Sequence, residues 1–173
     1  MTGSNQRGFS LMELITAMAL MALMAAITVP AFNAWLAGYR LKGSAMALVG
    51  HLQRARSEAL SKQTNCAITF NTTVGGVTYD YIVYLDSSGD LKYDAGETLL
   101  VTVKLADQPG ISFKSGGIDL PNNTSGKPSV AFNPLGMPRD KDGGFGDGSV
   151  TLKNNRGSEK MVALSAVGNV RIN

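Results

Sequence analysis

A single carboxylate, Glu13, stands at the entrance of a 25-residue stretch, residues 14–38, that carries no charge. A carboxylate carried into lipid costs about 2.5–3.5 kcal/mol on insertion scales, so it requires a cationic partner. Residues 1–8 are polar and precede the apolar run, the reverse of a secretory signal, whose apolar core comes before its cleavage site. Cleavage between Gly8 and Phe9 would keep the apolar helix and create a new α-amino group on Phe9, four residues before Glu13. That amine can neutralise the Glu13 carboxylate of a neighbouring subunit in lipid. An ordinary signal anchor, with Glu13 held in the headgroup layer, is the alternative.

A second set of oxygen side chains lies further on. Asp86, Ser88, Asp90, Asp94 and Glu97 match positions 1, 3, 5, 9 and 12 of a calcium loop. Leu91 occupies position 6, where that loop needs glycine for a positive backbone angle, and the flanks read as strands. The incomplete match favours a solvated acidic hairpin over a calcium site. His51, the only histidine, has no nucleophile or metal-ligand cluster at suitable spacing and reads as a solvated helical residue. No phosphate-binding loop, zinc spacing or nucleotide fingerprint is present, so enzymatic activity is not expected and no cofactor or metal is implied. The single cysteine, Cys66, excludes an intramolecular disulfide and sits in an apolar run that favours a buried thiol.

These groups need elements to hold them. The apolar run is long enough for a helix crossing a hydrocarbon core about 30 Å thick. Beyond it Leu41, Ala45, Leu48, Leu52, Ala55 and Ala59 recur at spacings of four and three, one apolar stripe on a helix. Lys42, Gly43, Arg54, Ser57, Glu58, Ser61 and Lys62 occupy its other side. One helix from about Phe9 to Ser61 follows, with Pro30 expected to kink or locally melt it near residues 26–30. From Asn65 the period becomes two. Val77, Tyr79, Tyr81, Val83 and Leu85 give a strand with one strongly apolar face, and further strands are expected at 66–71, 98–105, 111–114, 129–133, 149–153, 161–166 and 169–172. Residues 134–148 read as a mobile surface loop. The expected fold is α+β, a long N-terminal helix packed on an antiparallel β-sandwich or strongly bent sheet. Its divisions are a leader at 1–8, a transmembrane half-helix at 9–38, an amphipathic half-helix at 39–62 and a β-rich domain at 63–173. With 173 residues there is room for one domain plus a helix. The formal charge of +3, lowered by one if Arg7 leaves with the leader, is a weak argument for an anionic partner.

The arrangement Gly8-Phe9 and Glu13 before a long apolar run resembles the class III leader of type IV pilins and type II secretion pseudopilins. The resemblance implies that a prepilin peptidase cuts between Gly8 and Phe9 and methylates the Phe9 amine, that Glu13 guides assembly, and that Pro30 marks where the helix unwinds in a filament. It places the leader in the cytoplasm and the larger part outside a bacterial inner membrane. Arg54-Ala55-Arg56-Ser57-Glu58-Ala59, the segment ending Asp94-Ala95-Gly96-Glu97, Phe132-Asn133-Pro134-Leu135-Gly136 and the terminal Gly168-Asn169-Val170-Arg171 resemble the GspH/FimT branch of minor pseudopilins and minor pilins. The expected function is a minor subunit of a type II secretion pseudopilus or type IV pilus, near its tip, with other pilin subunits, the peptidase and inner-membrane lipid as partners. The alternative is a DNA-binding minor pilin of a competence pilus. DNA-binding members of the branch resemble one another in a Gly-Arg-x-Arg tail, and here the first arginine is replaced by Asn169. Lys153, Arg156, Lys160 and Arg171 could still form a basic edge, although Asp147 and Glu159 interrupt it in sequence.

Overall fold

A computed structural model describes residues 9–173; Arg7 and Gly8, on the leader side of the expected cleavage point, lie outside the described residues. The chain forms two compact units that divide between Leu36 and Ala37.

The first unit is helical. Helix α1, Leu11–Lys62, starts here and is rich in Ala, Leu and Met, all strong helix formers. None of the side chains from Phe9 to Trp35 is buried. Pro30 lies inside α1, yet the helix runs through residues 26–30 without a break, so the local melting expected there is not present. A proline removes one backbone donor, and the helical turns on either side hold through their own bonds.

The second unit contains the rest of α1, whose stripe Leu41, Ala45, Leu48, Leu52, Ala55 and Ala59 is buried, joined by Ala37 and Ser44. The helix stops at Gln63, which takes a left-handed conformation (φ 53°) and donates its side-chain amide to the Leu60 carbonyl at 2.8 Å. Such a residue is the usual terminator of a helix. Two antiparallel sheets follow. The first has the order β3-β2-β1-β5-β6, from β1 (Asn65–Val74), β2 (Val77–Asp86), β3 (Leu99–Val103), β5 (Ser129–Phe132) and β6 (Pro138–Arg139). The second has the order β4-β7-β8-β9, from β4 (Ile111–Asp119), β7 (Gly148–Asn154), β8 (Glu159–Leu164) and β9 (Val170–Ile172). Gly75 and Gly76, both at positive φ (58° and 78°), make the two-residue turn between β1 and β2. A hairpin twist requires such a pair. The core joins the α1 stripe to Ile68, Phe70, Tyr81 and Phe132 of the first sheet and to Leu152 and Val162 of the second.

Four expectations need correction. β2 is covered on both faces, because Ile82 and Tyr84 pack with Ala67, Ala131 and Leu91 in a second cluster. β3 ends at Val103, and Leu105 enters a 3-10 turn held by its N–H donating to Asp80 at 2.7 Å. β4 continues past Lys114 to Asp119 through an irregularity between Phe113 and Ile118, where Gly116 takes a positive φ and Gly117 fits tightly against Lys114 and Thr151. Residues 134–148 are no featureless loop: they contain β6 and a bridge between Arg139 and Phe145, and the Asp140 carboxylate accepts the Asp142 and Gly144 N–H groups.

Candidate functional site

At the N-terminal end of α1 the Ser10 hydroxyl accepts the Glu13 N–H at 3.2 Å, while the Glu13 carboxylate accepts the Ser10 N–H at 3.0 Å. These reciprocal bonds are a capping box, which satisfies two of the free donors at a helix start. Glu13 thus holds the helix end as well as a charge. The spacing Ser-x-x-Glu just before an apolar run carries that signal, which the reading of Glu13 as a pairing charge passed over. Glu13 also borders a shallow recess of 320 Å³ lined otherwise by the apolar Phe9, Leu14, Ala17, Met18 and Met21. Phe9 is 88% exposed and Met12 72%. A carboxylate on the rim of so much apolar surface is suited to a contact that brings both a cation and an apolar partner. Pro30 lies farther along the same exposed surface.

In the acidic segment the oxygens already have donors. Asp86 is buried and accepts the Gly89 N–H at 2.7 Å, the Leu91 N–H at 3.1 Å and the Ser88 hydroxyl at 3.1 Å. Asp90 accepts the Lys92 N–H, Glu97 accepts the N–H groups of Ser87 and Asp94, and Asp94 pairs with Lys92. Burial works to raise the Asp90 carboxyl, but the Lys92 N–H and the Ser88 hydroxyl hold it below its ordinary value. Among the described residues no three His, Cys, Asp or Glu groups come together to hold a metal ion. Leu91 adopts the positive angle thought unsuitable for it, with φ 60°. Its side chain is buried against Ile82 and Tyr84, and its carbonyl accepts from Thr69 (2.9 Å) and Asn123 (2.8 Å). The Thr69 proton being committed there, the Tyr84 hydroxyl donates to Thr69 at 3.1 Å, and burial keeps that phenol protonated by pushing its pKa well up. The segment is a lid folded on the outer face of β2.

The four basic residues near the C terminus do not share a face. Lys160 pairs with the buried Leu152 and so lies on the core side of its sheet, whereas Lys153 pairs with Glu159 and Arg171 with Ala163 on the other side. Arg156 sits in the turn between β7 and β8. Glu159 is itself taken by Lys114 at 2.8 Å.

Three sequence features far apart in the chain meet instead at Arg56, which the sequence reading names only within the Arg54 to Ala59 segment and gives no role. Its guanidinium donates to the Gly168 carbonyl at 3.2 Å. Gly136 and Gly168 are buried at positive φ (72° and 83°), and a Cβ on Gly136 would come within 3.1 Å of Arg56 and 3.3 Å of Leu60. Only glycine fits both that angle and that approach. His51, expected in solvent, is half-buried with its Nδ1 2.9 Å from the Tyr81 hydroxyl, and burial followed by the Arg54 charge lowers its pKa. Cys66 is buried as expected, and burial pushes its thiol up to about 12.

Residues 44–168 match the family model of GspH, a type II transport protein, and residues 3–29 match the prokaryotic N-terminal methylation motif. No solved structure matches the chain. The family is one of structural pilin and pseudopilin subunits, which work by assembly with other subunits after a prepilin peptidase has acted on the leader. With the larger match covering most of its length, the chain belongs to the GspH family of pseudopilins and carries the class III leader of pilin-like proteins.

Proposed function

We propose that this chain is a minor subunit that waits in the bacterial inner membrane, loses residues 1–8 by cleavage after Gly8, and joins a type II secretion pseudopilus or type IV pilus near its tip. The observation that carries the reading is the first 27 residues after that point: an apolar helical surface with no buried side chain and one carboxylate, Glu13, at its start. α1 is long and apolar enough to cross a membrane. In lipid its side chains are solvated by acyl chains; in a filament they pack on neighbouring helices, and the Phe9 amine of one subunit meets the Glu13 carboxylate of another. The exposed apolar surface supports this exchange, and Pro30 supplies a place where the helix yields during it. Separation of the C-terminal cations, with Lys160 on one face of the sheet, Lys153 and Arg171 on the other and Arg156 in a turn, supports assembly over DNA binding, since phosphate contacts need cations on one accessible surface.

Mass spectrometry of the mature protein tests the first step. An N terminus at Phe9, methylated, is expected; another N terminus would refute the cleavage assigned here. Co-purification of the full-length protein with other subunits from sheared filaments, and its absence when Gly8 is replaced by a bulky residue, tests the second.

A further inference from the structure

The second unit has a groove of 540 Å³ between residues 52–60 of α1 and residues 168–171. One wall is the open edge of β9, the outermost strand of its sheet. Met161 and Asn173 exchange hydrogen bonds in both directions (3.1 and 2.8 Å), and the Ser165 N–H donates to the Asn169 carbonyl at 2.9 Å. Antiparallel pairing alternates, so Val170 and Ile172 turn their N–H and C=O groups away from β8, toward the open side. The other wall is apolar and basic. Leu52, Leu60 and Phe132 line it with Arg56, and Arg171 stands at its mouth. No Asp or Glu lines the groove, and neither arginine has a carboxylate partner among the described residues. Arg56 gives one donor to Gly168, and a guanidinium has five. Two turns, carrying Gly136 and Gly168, close in on Arg56, and the exposed Leu135 and Val167 flank those glycines.

We propose that this groove accepts an extended acidic segment of another protein chain, which adds a strand to the edge of β9. Exposed edge groups supply main-chain affinity in such a mode, and side-chain pockets supply specificity. Side chains of an added strand alternate between its faces. Apolar ones meet Leu60, the exposed apolar side chain of the α1 wall, and an acidic one meets Arg171, whose side chain lies on the opposite face of β9 from Val170 and Ile172. Arg56 offers its remaining N–H groups to a carbonyl or terminal carboxylate of the segment. The charge complementarity names the partner's chemistry, and the row of open main-chain groups distinguishes a strand from a small anion. The groove belongs wholly to the second unit, so the proposal goes beyond helix-mediated assembly and stands or falls separately from it.

The test uses the full-length protein in detergent micelles and a labelled eight-residue peptide of alternating valine and glutamate. Saturable binding is expected, with slowed hydrogen exchange at the Val170 and Ile172 amides. Binding should weaken about tenfold or more when lysine replaces glutamate in the peptide, when alternate peptide nitrogens are methylated, and in Arg171→Glu. Val170→Pro removes an outward N–H without touching the bonds to β8 and should have the same effect; Arg171→Glu, a change at an exposed side chain, serves if that variant fails to fold. Equal binding of the lysine peptide or of the methylated peptide would overturn the proposal. So would full displacement by inorganic phosphate or by a DNA oligonucleotide at equal concentration, which would mark an anion or nucleic-acid site instead.

Discussion

Glu13 supplies a charge and a helix cap, and substitution separates the two. Glutamine can keep both bonds of the capping box while removing the charge, whereas Ser10→Ala keeps the charge and loses the bond that Ser10 accepts. Glu13→Gln and Glu13→Leu should both insert and be processed, and both should be lost from sheared filaments. Ser10→Ala should weaken the helix end by about 0.5–2 kcal/mol and still be incorporated. Normal incorporation of Glu13→Gln would show that the cap, not the charge, is what assembly uses. His51 permits an equally local test, because it is the only histidine in the chain. Its folded pKa lies below the ordinary 6.5, through burial and then the Arg54 charge, so the unfolded chain takes up the proton at a higher pH than the folded one. The linked stability is complete above pH 6.5 and is lost as pH falls from there toward the lowered value. Thermal melts stepped downward through that window should show a falling midpoint, and His51→Gln should flatten the slope; a midpoint that rises on acidification would contradict the assignment.

At the scale of elements, the acidic segment is held by its own hydrogen bonds and by Leu91. Calcium would have to displace the N–H groups that Asp86 and Glu97 already accept. Added calcium should therefore shift the melting midpoint little, since a ligand stabilises only as far as it occupies the folded state. A large upward shift, abolished by Asp90→Ala and Glu97→Ala, would make the segment an ion site. Leu91→Ala should destabilise by about 2–5 kcal/mol as a buried leucine lost. Leu91→Gly should be no worse than alanine, because glycine relieves the left-handed strain of about 1–2 kcal/mol that alanine keeps. Stability measured by denaturant titration decides between them. These residues also show why some elements were legible in the sequence and others not. The α1 stripe and the Gly75-Gly76 turn follow local rules of period and backbone angle, so both could be read directly. The second apolar face of β2 could not, because its cover comes from a segment whose oxygen spacing suggested a different purpose. β4 runs beyond the expected 111–114 because the strand passes through Gly116 and Gly117 as an irregularity rather than ending before them. The meeting of Arg56, Gly136 and Gly168 has no local pattern at all, being separated by 80 and 112 residues of chain. Only the fold brings them together.

For the molecule as a whole, the two family matches follow the two units. The methylation motif, residues 3–29, lies within the first, and the GspH match, residues 44–168, lies within the second. The buried core divides in the same way. Every residue of the main cluster lies at or beyond Leu41, while no side chain from Phe9 to Trp35 is buried. Removing residues 1–35 therefore deletes apolar surface that burial within the subunit does not use, and burial at about 25 cal/mol per Å² is the main term that folding depends on. The stripe from Leu41 to Ala59 stays with the sheets it covers. A fragment beginning at Leu36 should be soluble and monomeric, with a mixed helix and strand signal in circular dichroism. It should melt cooperatively at the same midpoint as the full chain in detergent, because unfolding disrupts the same core in both. Its solubility follows from discarding the exposed Leu, Met and Phe side chains of the first unit, which otherwise require lipid or neighbouring subunits. Molten or aggregated fragment would mean that the β-rich unit depends on the apolar half-helix for its own stability, and the independence of the second unit would have to be abandoned.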